Sequence, residues 1–240
     1  MCGLVGAVAQ KNVTPILIEA LERLEDDGYV STEVAVVNRR RHMRVNRRVG
    51  KASKLRRSLN NDAVMDSPLG IGHTRWATQG EPAEHYAHAY VSCDEVAVVH
   101  NGIIENHEML KRDLEAKGYY FRSDTDTEVI SHLIHLYLTP DASLLEAVRT
   151  AVLELTGAYA IAVLAVSEPE TLVVARSGCP LVIGVGESEQ YVASDVAALL
   201  PVTRRLIFME EGDVAELKLG NISIVDDSGK VAIRPLRDLR

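Results

Sequence analysis

The chain has 240 residues, of which 47% are hydrophobic and 25% charged, with a formal net charge of −8. That length allows one large core or two small ones, the charge argues against a general nucleic-acid binder, and no apolar run approaches the roughly 20 residues that span a bilayer. Three cysteines are too few and too odd in number for a disulfide framework, and the N-terminus lacks a signal-peptide pattern, so reduced thiols in a cytoplasmic protein are expected.

Residues 3–9 (GLVGAVA) read as a buried strand that begins almost at the first residue. Thr14-Pro15 then starts a helix, with apolar residues recurring at helical spacing so that one face of 15–26 is core. Val34–Val37 and Met43–Val49 predict a strand pair, and a short apolar strand precedes His73. Val96–Val99 reads as a strand entering a tight turn at Asn101-Gly102. Asn106 can cap a helix that ends before Gly118. Thr125–Glu128 and Ser143–Glu146 have the spacing of capping boxes, opening helices to about Leu138 and about Leu155. From Ala158 onward strands are expected at 158–166, 171–176, 181–185, 190–194, 213–217, 221–225 and 230–233, and the last dozen residues suit an edge strand leading to a tail. Strands come in runs and the helices in a pair, which predicts an α+β fold of two packed, mainly antiparallel sheets with helices outside. No linker or repeat divides it, so residues 2–240 read as a single domain.

Cys2 is the most informative residue. Removal of Met1 would expose it with both a thiol, of reference pKa about 8.5, and an α-amine, of about 7.7–8.0. The amine can then accept the thiol proton, so that nucleophile and base reside on one residue. Cys93 and Cys179 are better explained as small buried hydrophobes. Arg75 can grip a substrate carboxylate with two parallel hydrogen bonds, or can be a surface arginine beside Trp76. Asn101-Gly102 fits a hairpin turn, or an oxyanion hole made of an amide and a backbone N–H. Asp126, expected in the first turn of a helix, suits the helix dipole or a substrate ammonium group.

Other candidates carry less. His132 and His135 sit one helical turn apart, as do His85 and His88, but neither pair has the accompanying ligands of a metal site, and no metal is expected. Gly184-Val185-Gly186 lacks the spacing of a dinucleotide loop, and no cofactor is expected. The basic stretch from Arg39 to Arg48 reads as a solvated strand pair.

Taken in order, Met1-Cys2-Gly3 with LVGAVAQ, HTRWAT at 73–78, GEP at 80–82, VVHNGIIENH at 98–107 and DTDTEV at 124–129 resemble the class II, N-terminal nucleophile, glutamine amidotransferases. ARSG at 175–178, PLVIG at 180–184, ASD at 193–195 and ALLPVTRRLIFMEEGD at 198–213 extend the resemblance over nearly the whole chain and favour its sugar-phosphate aminotransferase branch. The resemblance implies a four-layer αββα sandwich. It implies that Cys2 is the nucleophile with its own amine as base, and that Asn101 and Gly102 form the oxyanion hole. It further implies that Arg75 and Asp126 hold the carboxylate and amine of L-glutamine, while Trp76, Thr78 and His88 line or support the pocket. The implied partner is a sugar-phosphate isomerase domain, absent from this sequence, that receives the ammonia.

The sequence departs from the family pattern at Asp27, Val30 and Glu33, which stand where an arginine, an aspartate and a glycine are usual, at Gln79 in place of a histidine, and at Ala87–Tyr90 in place of AHPH. These departures admit two alternatives: a catalytically impaired module that binds glutamine or a partner, and an amidase for another γ-glutamyl compound.

Overall fold

The computed structural model describes residues 2–25, 30–59, 63–76 and 90–239, apart from the side chains of Val30 and Trp76. Strand β1 (Gly3–Val8) leads to helix α1 (Thr14–Leu24), then β2 (Val30–Val37), β3 (Met43–Val49) and α2 (Ala52–Ser58). β4 (Leu69–Trp76), β5 (Tyr90–Ser92) and β6 (Val96–Ile104) precede three helices, α3 (His107–Ala116), α4 (Glu128–Tyr137) and α5 (Leu144–Val152). Apart from a 3-10 turn at Val196–Ala198, the elements that follow are strands: β7 (Gly157–Ala165), β8 (Leu172–Ser177), β9 (Val182–Val185), β10 (Gln190–Ala193), β11 (Arg205–Phe208), β12 (Val214–Lys218), β13 (Asn221–Val225), β14 (Val231–Ala232) and β15 (Leu236–Asp238).

The strands form two sheets, ordered β15-β11-β9-β10-β1-β4-β2-β3 and β14-β13-β12-β8-β7-β6-β5. Among the described residues every pairing of adjacent named strands is antiparallel. Successive side chains of a strand point to opposite faces, so each sheet buries two sets. Leu4, Ala35, Leu69 and Ile71 of the first sheet meet Ala97, Val99, Ala160 and Ala162 of the second in a central layer. Val5, Ala7, Val34 and Val36 face the other way, onto Leu17, Leu21 and Leu55 of α1 and α2. Val96, Val98, Ile161 and Val163 face α3, α4 and α5. The result is helix, sheet, sheet, helix, the layering that the family resemblance implies.

Several local expectations give way to longer-range contacts. No turn forms at Asn101-Gly102: β6 runs through both residues and pairs with β7 from Val96 to Ile104. The box at 125–128 does not form either. Thr127 is the N-cap residue but makes no side-chain cap bond. Glu128 instead accepts from the backbone N–H of Arg122 and Ser123 and from the Ser123 hydroxyl. The Ser143–Glu146 box is complete in both directions. Asn106 begins α3 without a side-chain cap, because its amide bridges the Glu154 carbonyl and the Thr156 N–H. Cys93 is exposed at the β5–β6 turn and Cys179 is half-buried, so neither is the buried thiol that its small size suggested. β11 and β15 are additional strands, and the tail reaches both sheets, with β14 at one edge and β15 at the other. No helix among the described residues is long and apolar enough to cross a membrane.

Candidate active site

Cys2 immediately precedes β1, at the end of a strand flanked by β4 and β10. Three hydrogen bonds fix the backbone just after it. Gly3 N–H donates to Thr74 Oγ1 at 3.0 Å, Leu4 N–H donates to Ser194 Oγ at 3.1 Å, and Ser194 N–H returns to the Leu4 carbonyl at 2.9 Å. Gly3 is needed for this closeness, because a Cβ there would lie 2.7 Å from Thr74 Oγ1 and 2.8 Å from Leu24 Cβ. Cys2 itself is half-buried.

Asn101 comes from the opposite sheet. Counting in steps of two from Ala97 and Val99 places it on the central face of β6. Its Nδ2 donates to the Cys2 carbonyl at 2.9 Å, and its Oδ1 lies 2.8 Å from Nε2 of His73 on β4. One amide thus joins the two sheets at Cys2. An amide nitrogen has two hydrogens, and the contact with Cys2 uses one of them. Gly102 follows with φ +131°, and a Cβ there would overlap the Ala158 carbonyl oxygen. Gly157, two residues before Tyr159 across the ladder, has the same φ. The two glycines give β6 and β7 a φ beside Asn101 that ordinary strand residues do not adopt.

Asp126 lies in the turn before α4, two residues ahead of Glu128, and not in the helix's first turn. Its Oδ2 accepts the Ile104 N–H at 2.8 Å, which ties it to the end of β6 two residues beyond Gly102. His100 supports this corner from the helix side. Its Nδ1 lies 3.0 Å from Thr127 Oγ1, and burial pushes its pKa down to about 4 against the opposing pull of the Asp126 charge. Arg75 lies two residues past His73, on the same side of β4, and is half-buried.

The structure therefore brings Cys2 and Asn101 into direct contact, with Gly102 adjoining and Asp126 tethered nearby. Thr78 and His88 lie outside the described residues, as do the side chain of Trp76 and the departures Asp27 and Gln79. Sequence reasoning gave no role to His73, Thr74 or Ser194, which hold the site from behind. The period-two pattern offered a signal for His73: in Leu69-x-Ile71-x-His73 a polar ring occupies the next position of a wholly buried row. Among the described residues no three His, Cys, Asp or Glu side chains gather as a metal site.

Residues 73–201 match a family model described as a glutamine amidotransferase domain. The chain is 53% identical over 234 residues to the glutamine–fructose-6-phosphate aminotransferase (isomerizing) of Idiomarina loihiensis, and 52% identical over 238 residues to that of Shewanella oneidensis. These matches cover 98% and 99% of this chain but only 38% and 39% of the relatives. Among solved structures, the glutamine phosphoribosylpyrophosphate amidotransferase of B. subtilis superimposes with a TM-score of 0.78 at 23% identity, over 96% of this chain and 50% of that one. A glutamine aminotransferase class-II domain protein from Silicibacter pomeroyi gives 0.61 at 15% identity, over 94% and 99%. At those identities the two structures speak for the fold alone.

Proposed function

The chain belongs to the class II glutamine amidotransferases, and on that premise we propose that it hydrolyses L-glutamine to L-glutamate and ammonia through a thioester on Cys2. The observation that carries this reading is the Asn101 amide resting 2.9 Å from the Cys2 carbonyl, since it puts a hydrogen-bond donor beside a residue whose thiol can serve as the nucleophile.

In this reading Met1 is removed and the freed α-amine of Cys2 takes the thiol proton, directly or through a water. The thiolate attacks the side-chain amide carbon of glutamine. Negative charge develops on the amide oxygen, where the second Asn101 Nδ2 hydrogen and the Gly102 N–H receive it. The C–N bond then breaks, ammonia leaves with the proton held by the amine, and a γ-glutamyl thioester remains. Water attacks the thioester, giving glutamate and restoring the thiol. Arg75 pairs with the α-carboxylate and Asp126 with the α-ammonium. Trp76, Thr78 and His88 belong to the pocket wall.

We place the residues at 2–240 in a single glutaminase domain. The names of the relatives support a further step, in which the ammonia passes to a sugar-phosphate isomerase domain and aminates fructose 6-phosphate to glucosamine 6-phosphate.

The test is glutamate release from glutamine by N-terminally processed chain and by Cys2→Ala. Release by the first and none by the second is the expected result. Equal release from both ends the proposal, and glutamine binding by calorimetry with no turnover replaces it with a sensor.

A further inference from the structure

Behind Asn101 a row of polar side chains crosses the central layer where apolar ones surround it. Arg47 on β3 is the direct cross-strand neighbour of Glu33 on β2, and Glu33 is that of His73 on β4. Arg47 Nε lies 3.4 Å from Glu33 Oε2, and Glu33 Oε1 lies 3.9 Å from His73 Nδ1. Glu33 and His73 are each 1% exposed. The row continues through His73 Nε2 to Asn101 Oδ1 and through Asn101 Nδ2 to the Cys2 carbonyl. Glu33 stands where the family resemblance has a glycine, so the carboxylate is a feature of this chain and not of the general pattern.

The donors and acceptors along this row determine one another. A backbone carbonyl can only accept, so the Asn101 atom facing Cys2 is the nitrogen. The amide oxygen therefore faces His73, and it too can only accept, so the ring must present an N–H from Nε2. Burial pushes His73 down to about 4, with the bonds to Asn101 and to the His100 backbone opposing, so near neutral pH the ring carries a single proton. A carboxylate on the Nδ1 side would draw that proton away from Asn101. The Arg47 guanidinium beside the same carboxylate offsets this pull.

We propose that His73 is a positioning residue for the amide hydrolysis: its Nε2–H fixes the rotation of the Asn101 side chain, so that Nδ2 faces Cys2 and the substrate oxygen. This rests on the glutaminase reading given above. His73 touches no reacting atom and acts only through Asn101. Without the Nε2–H the amide oxygen loses a donor and the side chain is held less firmly toward the developing negative charge, which raises the barrier without weakening the binding of glutamine.

The experiment uses the processed chain and His73→Leu, with His73→Gln as the variant that returns an N–H donor at a similar reach. In His73→Leu, kcat for glutamate release is expected to fall by about 30-fold or more while KM moves by less than about threefold. Alkylation of Cys2 by iodoacetamide, a displacement that builds no oxyanion, should stay within about twofold of wild type, and His73→Gln should recover most of the lost kcat. Turnover of His73→Leu near the wild-type rate overturns the proposal. Alkylation lost in parallel with turnover also overturns it, since the residue would then merely hold the site together. Nitrogen-15 spectra of the histidines decide the matter independently of turnover. A protonated Nε2 on His73 is expected, and an unprotonated Nε2 overturns the proposal. A wild-type chain that releases no glutamate would end the glutaminase reading instead, with the spectra still deciding whether His73 donates to Asn101.

Discussion

Gly102 lies against Ala158 with no space between them for a side chain: a Cβ at Gly102 would overlap the Ala158 carbonyl oxygen, and the residue's φ of +131° is one that L side chains rarely adopt. Both obstacles are backbone and neither can be relieved by a rotamer change. Gly102→Ala should therefore cost about 2 kcal/mol or more of stability and abolish glutamate release. A urea titration and a glutamate assay on the same preparation check the two effects.

Acid should weaken the fold before most carboxylates titrate. Burial holds His73 and His100 down at about 4, below the usual histidine value of about 6.5. Between those values the unfolded chain binds protons that the folded chain refuses, so stability falls as pH drops through that window and is fully present above it. Each ring contributes a loss on the order of 2 kcal/mol between pH 7 and pH 5. Denaturant titrations at the two pH values measure the sum, and His100→Gln should remove about half of it. Stability that rises on acidification would contradict the neutral, buried rings.

Glu128 clasps the segment that delivers Asp126. Burial alone would raise its pKa, but the contact with His132 and the bonds from Arg122 and Ser123 hold it below the usual glutamate value. Glu128→Leu removes three acceptor contacts to Arg122 and Ser123 and frees the stretch from 122 to 126. In the proposed glutaminase this should raise KM for glutamine by about tenfold with a smaller change in kcat, because Asp126 is the ammonium contact. Steady-state kinetics of the variant over a wide glutamine range read the split.

Ser143→Ala tests a stabilising device remote from the chemistry. The Ser143 hydroxyl accepts from the Glu146 N–H at 3.2 Å, while Glu146 accepts from the Ser143 N–H at 2.8 Å. Losing the hydroxyl should cost about 1 kcal/mol and leave glutamate release unchanged. Thermal melting of the variant beside wild type measures it.

What could be read from the residues divides along the range of the forces involved. Helix α1 follows from apolar spacing and α3, α4 and α5 from the capping and stop signals at their ends, because these signals act over a turn or two of chain whatever the distant neighbour is. Cys2, Asn101, Gly102 and Asp126 stand out as chemically able groups, and the fold brings them to one end of the sandwich. The failures are places where a local signal competes with a distant partner. Asn101-Gly102 has the composition of a turn, yet the Gly157–Ala165 strand extends its ladder through both residues. Glu128 has the spacing of a capping residue, yet nearby backbone N–H groups at 122 and 123 engage it first. The Arg47–Glu33–His73 row is illegible in one dimension, since its members stand 14 and 40 positions apart and become neighbours only through register.

The order of strands in the two sheets has a further consequence, for the solubility of the chain. An unpaired margin offers a row of N–H and C=O groups to any passing chain and is the usual seed of aggregation. Among the described residues β5, β14 and β15 are only three, two and three residues long, and the one long margin, β3, carries exposed Arg44 and Arg48 with Arg39, Arg40 and Arg41 just before it. Copies of the chain that approach edge to edge meet either too little ladder to grip or like charge against like, so the sandwich resists growing into a fibre by strand addition.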